Sequence, residues 1–245
     1  MPRLDLLLLE LGLASTRTKS QELISAGKVF VNGKVCRSAG EKIEPGEAQI
    51  TLSEPEHPYV SRGGQKLEAA LSAFQLDVTG VRAMDVGQST GGFTHCLLLK
   101  GAREVVGVDV GTGQLAQPLR DDPRVIAFEK QDIRTLDPAG VAPLFEFFVV
   151  DLSFISVTHI LPTLPRFLAP GAQGVVLVKP QFEVGREKIG SGGIVRDAAA
   201  RERAVLDVRL VCEENGFTVA GEIPSPVSGG DGNQESLLHL VRRTV

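Results

Sequence analysis

Three features of the sequence predict an α/β fold with a parallel-sheet core behind a small basic module. From residue 81 onward, apolar runs of strand length alternate with amphipathic stretches of helix length. A glycine-rich turn at 87–92 (GQSTGG) joins one such run to a helix, and Asp109 closes the next run, as in a nucleoside-binding strand–turn–helix–strand unit. The charge is unevenly spread: residues 1–40 hold six Lys/Arg against three Asp/Glu, a net of +3 in a chain whose total is −4.

The 245 residues allow a large domain or a medium one with a small companion, and 42% hydrophobic content supplies a sizeable core. With no Trp and one Tyr, recognition resting mainly on aromatic stacking is not expected. Cys36, Cys96 and Cys212 are odd in number and match no metal-ligand spacing, so they read as structural thiols of a reducing compartment, with no metal. The most lipid-like run, Leu6 to Leu9, is far too short to span a bilayer, and no signal peptide is expected. A cytoplasmic protein without membrane contact follows.

In chain order, Pro2 to Leu11 has leucines at helical spacing between a proline and Gly12, and Thr16 to Ala26 forms a second helix stopped by Gly27. Lys28 to Val35 alternates around Asn32-Gly33, a hairpin with a type I′ turn. These residues resemble the S4 RNA-binding domain, through Arg3-x-Asp5 with Leu7 and Leu8, Gly12-Leu13, Arg17 and LISAGKVFVNGK at 23–34. The resemblance covers residues 2–50. It implies that Arg17, Lys19, Lys28 and Lys34, with Arg3 of the shared motif, meet RNA phosphates; such contacts release counterions and follow backbone shape without reading bases.

Polar, proline-containing TLSEPEHP (51–58) reads as a linker, and Ser61 to Phe74 as a loop entering an amphipathic helix. Val81 to Val86 is a strand buried on both faces. Asp85 lies near its end, and Gly87, Gly91 and Gly92 let the backbone approach a ligand. Phe93 to Lys100 is a helix whose N-terminus favours an anionic group, and Val105 to Val108 is the next strand. Asp109 then suits the hydroxyls of a ribose. A dinucleotide fingerprint would need glycine where Ser89 stands, and no G-K-[ST] closes a triphosphate loop. The cradle therefore suits S-adenosylmethionine better than NAD.

Arg124 to Phe128, Phe147 to Val150 and Gly174 to Val178 are further strands. Val157 to Leu168, with Pro162 and Pro165, reads as a bent helical crossover, and Arg196 to Asn215 as a charged amphipathic helix. Gly185 to Gly193 is a basic glycine-rich loop. Phe217 to Ile223 and Leu237 to Val241 are the last strands, joined closely enough for an antiparallel hairpin.

Ligands of open α/β sheets sit beyond the carboxyl ends of the strands, where Asp109, Asp151 and Lys179 fall. Asp132, just past a strand, can accept from an adenine amino group. A lysine at the end of a buried strand loses hydration, which makes a neutral amine accessible for taking a hydroxyl proton. Lys66 and Glu235 lie where they reach the same edge.

The combined pattern resembles the hemolysin A (TlyA) family over nearly the whole chain. The matching pieces are SRGGQKLE (61–68), DVGQSTGGFT (85–94), GVDVGTGQLA (107–116), VVDLSFIS (149–156), LVKPQFEVG (177–185) and GNQE (232–235). The resemblance implies a Rossmann-like, FtsJ-like S-adenosylmethionine-dependent methyltransferase domain (61–245) behind an α+β S4 domain (1–52) and a linker (53–60). It also implies 2′-O-methylation of ribosomal RNA, free or in a ribosomal subunit. The implied catalytic tetrad is Lys66, Asp151, Lys179 and Glu235, and the implied cofactor contacts are Asp85, Gly87, Ser89, Thr90, Gly91, Gly92, Asp109 and Asp132. Glu183 is a further candidate on the acceptor side. Gln88 stands where a small residue is usual, and His95 replaces a commonly acidic position.

Base methylation would call for an Asn-Pro-Pro-aromatic or catalytic-Cys motif, whereas Asp151-Leu152-Ser153-Phe154 stands there. The other readings are a non-catalytic RNA-binding or assembly protein and a pore-forming hemolysin. The sequence lacks the spanning or strongly amphipathic segments that a pore requires.

Overall fold

A computed structural model of the chain describes residues 1–14, 16–44, 48–53, 57–229 and 232–244. The chain divides into two compact units, Met1–Pro58 and Tyr59–Val245.

In the first unit, helices α1 (Leu4–Glu10) and α2 (Arg17–Ser25) pack against strands β1 (Val29–Val31), β2 (Lys34–Cys36) and β3 (Ile50–Leu52). The sheet is antiparallel in the order β2-β1-β3. Thr16 caps α2 by accepting from the Lys19 N–H at 3.1 Å. Asn32 and Gly33 both have positive φ, +51° and +76°, as the type I′ turn requires. The core is small, with Leu4, Leu8, Ile24 and Val29 fully buried. Strand β3 corrects the sequence reading, in which Thr51 already belonged to the linker. Three residues carry too little periodicity to reveal a strand whose partner lies some twenty residues upstream. Residues 54–56 of the expected linker fall outside the described residues.

The second unit is a seven-stranded sheet flanked by helices. In order along the chain its elements are α3 (Gly63–Ala73), β4 (Arg82–Val86), α4 (Gly92–Leu99), β5 (Glu104–Val108), α5 (Gln117–Arg120), β6 (Val125–Phe128), β7 (Phe145–Val150), β8 (Leu168–Val178), α6 (Pro180–Glu183), α7 (Ala198–Glu214), β9 (Phe217–Pro224) and β10 (Ser236–Arg242). The strand order is β6-β5-β4-β7-β8-β10-β9. The first five are parallel, and β10 runs antiparallel between β8 and β9. Strand order reverses beside β4, so the crevice between its loop and that of β7 is where a ligand is expected.

Every residue of β4 is buried, the charged Arg82 and Asp85 as well as Ala83, Met84 and Val86. Alternate residues feed two cores: Met84, Val106, Phe148 and Val176 face α7 and the residues around Leu161, while Ala83, Val105, Phe147 and Val175 face α3 and α4.

The stretch read as a helical crossover forms two short 3₁₀ segments, Val157–His159 and Leu161–Arg166. Pro162 and Pro165 lack the N–H groups that an α-helix would use. Strand β8 starts at Leu168, six residues before the expected position: Leu168 pairs with Phe145, and from Gln173 to Val176 the strand lies between β7 and β10.

Candidate active site

The parallel order puts the ends of β4, β5, β7 and β8 on one edge, delivering the 87–92 turn, Asp109, Asp151 and Lys179 there. Glu235 arrives from the opposite direction. Because β10 is antiparallel to β8 with Ser236 opposite Val178, the residue before β10 stands beside the residue after β8. Lys66 comes from the first turns of α3.

The four polar side chains converge. The Lys66 ammonium donates to a Glu235 carboxylate oxygen in a buried ion pair, the two side chains being 10% and 1% exposed. Lys179 Nζ lies 2.6 Å from Asp151 Oδ1 and donates to Ser153 Oγ at 3.1 Å. Burial pushes the Glu235 carboxyl above the ordinary range, with Lys66 and then Lys179 opposing the shift and Asp151 adding to it, so the two pairs share one electrostatic environment.

A cavity of about 250 Å³ is lined by Lys66, Asp151 and Lys179 together with Ser61, Gly87 and Thr90. A second, of about 500 Å³, is lined by Asp109, Asp132, Arg134, Asp151, Ile133 and Ile155 among others. Both include Gly87, Ser89, Asp151 and Ser153, so they adjoin beneath the turn. Gly87 adopts φ +87°, and a Cβ there would stand 2.3 Å from the Asp151 carbonyl oxygen. Bare backbone is thus required where the two meet.

The 500 Å³ cavity fits the nucleoside cofactor expected. Its charged walls are three carboxylates, Asp109, Asp132 and Asp151, and one cation, Arg134, already paired with Asp132. Such a lining suits a nucleoside with a cationic tail and opposes a pyrophosphate. Asp109 accepts from the N–H groups of Ser89 and Gly111, both at 2.7 Å, which fixes its carboxylate at the strand end. Gly91, the N-cap of α4, has φ +93°.

Two of the expected cofactor contacts, Asp85 and Gly91, lie outside both cavities. Asp85 is fully buried and lines neither cavity. It accepts from Thr94 Oγ1 at 2.6 Å, Gln88 Nε2 donates to the same hydroxyl at 3.0 Å, and burial raises the Asp85 carboxyl to about 7. This residue braces the turn from below. Gln88 also folds inward, into the space that Gly107 leaves without a Cβ, so its bulk does not fill the cleft. Gly91 lines neither cavity, and its role is to let α4 begin there. Asp132 does face the 500 Å³ cavity, but Arg134 donates to it through its backbone N–H and guanidinium. That pairing holds its carboxyl below the ordinary range. His95 Nδ1 accepts from the Val60 N–H at 3.2 Å, and its ring sits edge-on to Tyr59, a packing role.

Sequence reasoning missed Ser153, Thr94 and Arg134 as members of the site. Ser153 and Thr94 lie inside quoted motifs, two residues beyond Asp151 and at the start of α4, but no spacing rule marks a hydroxyl as a hydrogen-bond partner.

In the first unit, Arg3 and Arg17 both donate to Asp5, which is fully buried and also accepts from Gln21. Lys19 pairs with Glu22 at 3.4 Å on exposed α2, Lys28 precedes β1, and Lys34 opens β2 at the surface. The three cysteines are free and buried, and among the described residues no acidic, His or Cys cluster could hold a metal. No helix among the described residues is long and apolar enough to cross a membrane.

Residues 59–242 match the model of the FtsJ-like methyltransferases, and residues 2–48 match that of the S4 domain. A 16S/23S rRNA (cytidine-2′-O)-methyltransferase, TlyA, of Mycobacterium tuberculosis is 43% identical over 242 residues, covering 99% of this chain and 90% of that protein. Hemolysin A of Brachyspira hyodysenteriae is 37% identical, covering 98% and 99%. A solved structure from Streptococcus thermophilus, provisionally described as a hemolysin, superposes with a TM-score of 0.78 at 43% identity, covering 99% of this chain and 88% of that one.

Proposed function

The chain belongs to the FtsJ-like methyltransferase family, in the S4-containing TlyA (hemolysin A) branch, and from that premise we propose that it methylates ribose 2′-hydroxyls of ribosomal RNA. The observation that carries the reading is the convergence of Lys66, Asp151, Lys179 and Glu235 on one edge, three of them around a single cavity. S-adenosylmethionine, when bound, supplies a methyl group on a sulfonium. Asp109 and Asp132 would hold its nucleoside end, with Gly87, Ser89 and Thr90 beside the reacting end.

The proton of the attacking hydroxyl goes to Lys179 Nζ, aimed by Asp151 and Ser153. Lys66 and Glu235, fixed by their mutual bond, hold the acceptor ribose so that hydroxyl and methyl carbon meet in line. The cytidine named for the tuberculosis relative is the proposed acceptor nucleotide. The S4 unit, with the lysines and arginines of α2 and the hairpin, anchors the RNA by its phosphates. The protein works in the cytoplasm, and units 1–52 and 61–245 divide the labour. A purified protein incubated with 16S and 23S rRNA and tritiated cofactor, followed by nucleoside digestion, is expected to place label in 2′-O-methylcytidine; label on a base would overturn the reading.

A further inference from the structure

Strands β7 and β8 are parallel neighbours, with Val150 opposite Val176, and the loops leaving them carry Asp151 and Lys179. Three ties cross between those loops. The first is the Lys179–Asp151 pair with its bond to Ser153. The second is the packing of Phe154 on Phe182, ring centroids 5.5 Å apart. The third is Glu183: one carboxylate oxygen accepts from the Ser156 hydroxyl and the other from the Val157 N–H at 2.9 Å. Ser156 also meets Thr158 Oγ1 at 2.6 Å and caps the 3₁₀ segment that starts at Val157.

Glu183 lines neither cavity, and both carboxylate oxygens are spent on the opposite loop. That is the wrong place and the wrong engagement for a group that meets substrate. It is the right place to fix the segment 151–156, whose residue Phe154 sits at φ +68° and stays 92% exposed, its contact with Phe182 covering little of it.

We infer that Glu183 is a positioning residue, which ties the loop after β7 to the loop after β8 and so sets the Lys179–Asp151–Ser153 geometry. The inference rests on the methyltransferase reading above. A carboxylate is not chemically required for this task, because a glutamine amide oxygen accepts from Val157 N–H and its other end still meets the Ser156 hydroxyl. An alanine does neither, and a misplacement on the order of 1 Å near reacting groups costs about 100-fold in rate.

The test measures kcat, KM for rRNA and S-adenosylhomocysteine affinity in the wild type, Glu183→Ala, Glu183→Gln and Ser156→Ala. Glu183→Ala is expected to lower kcat at least ~10-fold while the affinity for S-adenosylhomocysteine shifts less than ~3-fold, Ser156→Ala to lower kcat by a smaller factor, and Glu183→Gln to stay within ~3-fold of wild type. If Glu183→Gln falls as far as Glu183→Ala, the carboxylate acts chemically and the inference is overturned. Unchanged kcat in Ser156→Ala also overturns it, and this variant decides the matter should Glu183→Ala not fold. Wild-type protein without methyl transfer would instead defeat the underlying reading, a result distinct from either.

Discussion

Lys66 and Glu235, 169 residues apart in the chain, meet in a buried ion pair at the edge of the sheet. The pair links the first turns of α3 to the start of β10, and it exists because β10 is inserted antiparallel beside β8. Removing one partner strands the other charge in a desolvated site. Lys66→Met and Glu235→Leu are each expected to destabilise the protein by about 3–5 kcal/mol, whereas the double variant recovers most of that loss without recovering activity. Chemical denaturation of the three variants beside a methyl-transfer assay checks it; single variants as stable as wild type would contradict it.

Gly87→Ala is expected to disrupt the cradle. The left-handed backbone costs an alanine about 1–2 kcal/mol, and its Cβ would also collide with the Asp151 carbonyl oxygen, 2.3 Å away. Calorimetric titration with S-adenosylhomocysteine should show affinity lowered at least ~10-fold, together with a lower Tm.

Asp85 makes stability depend on pH. Its folded carboxyl is raised by burial to about 7 from an ordinary value of 3.8. Between those values the folded state binds more protons than the unfolded one, so this residue's contribution is full below about pH 4 and is lost as pH rises through about 7. Asp85→Asn should remove that part of the slope in denaturation curves taken from pH 4 to 8. An unchanged slope would show that Asp85 does not titrate in this window.

Asp5 works in the opposite sense in the first unit. The Arg3 bond, helped by Gln21 and Arg17, holds its carboxyl well below the ordinary range despite burial. Its contribution is present above the unfolded value near 3.8 and is lost as pH falls further. Asp5→Asn is expected to lower stability at pH 7, because Arg3 and Arg17 lose their shared anion. Intrinsic stability by hydrogen exchange in residues 4–36 is the readout, and unaltered protection would contradict it.

Much of the fold was legible because local signals matched the final elements. The buried run of β4, the Asn32-Gly33 turn and the Gly91 start of α4 each follow from residue type and spacing. What escaped depended on distant partners. Strand β3 pairs with β1 far upstream, and the inward fold of Gln88 depends on the empty space at Gly107 on the next strand. Asp85 stands among the cofactor contacts that the family resemblance implies, yet it is the fourth of five buried residues of β4 and its carboxylate accepts from Thr94 inside the fold rather than facing the cavity. The tetrad positions came from resemblance to a family. Their meeting point follows from topology, above all the antiparallel register that sets Ser236 against Val178.

The most direct test is a single-turnover time course on 23S rRNA with Lys179→Ala and wild type, after calorimetry has shown equal S-adenosylhomocysteine binding. The account predicts 2′-O-methylcytidine formation slowed at least ~100-fold in the variant, in the range that removal of a positioned proton acceptor produces. A variant that forms the same product at the wild-type rate would contradict it.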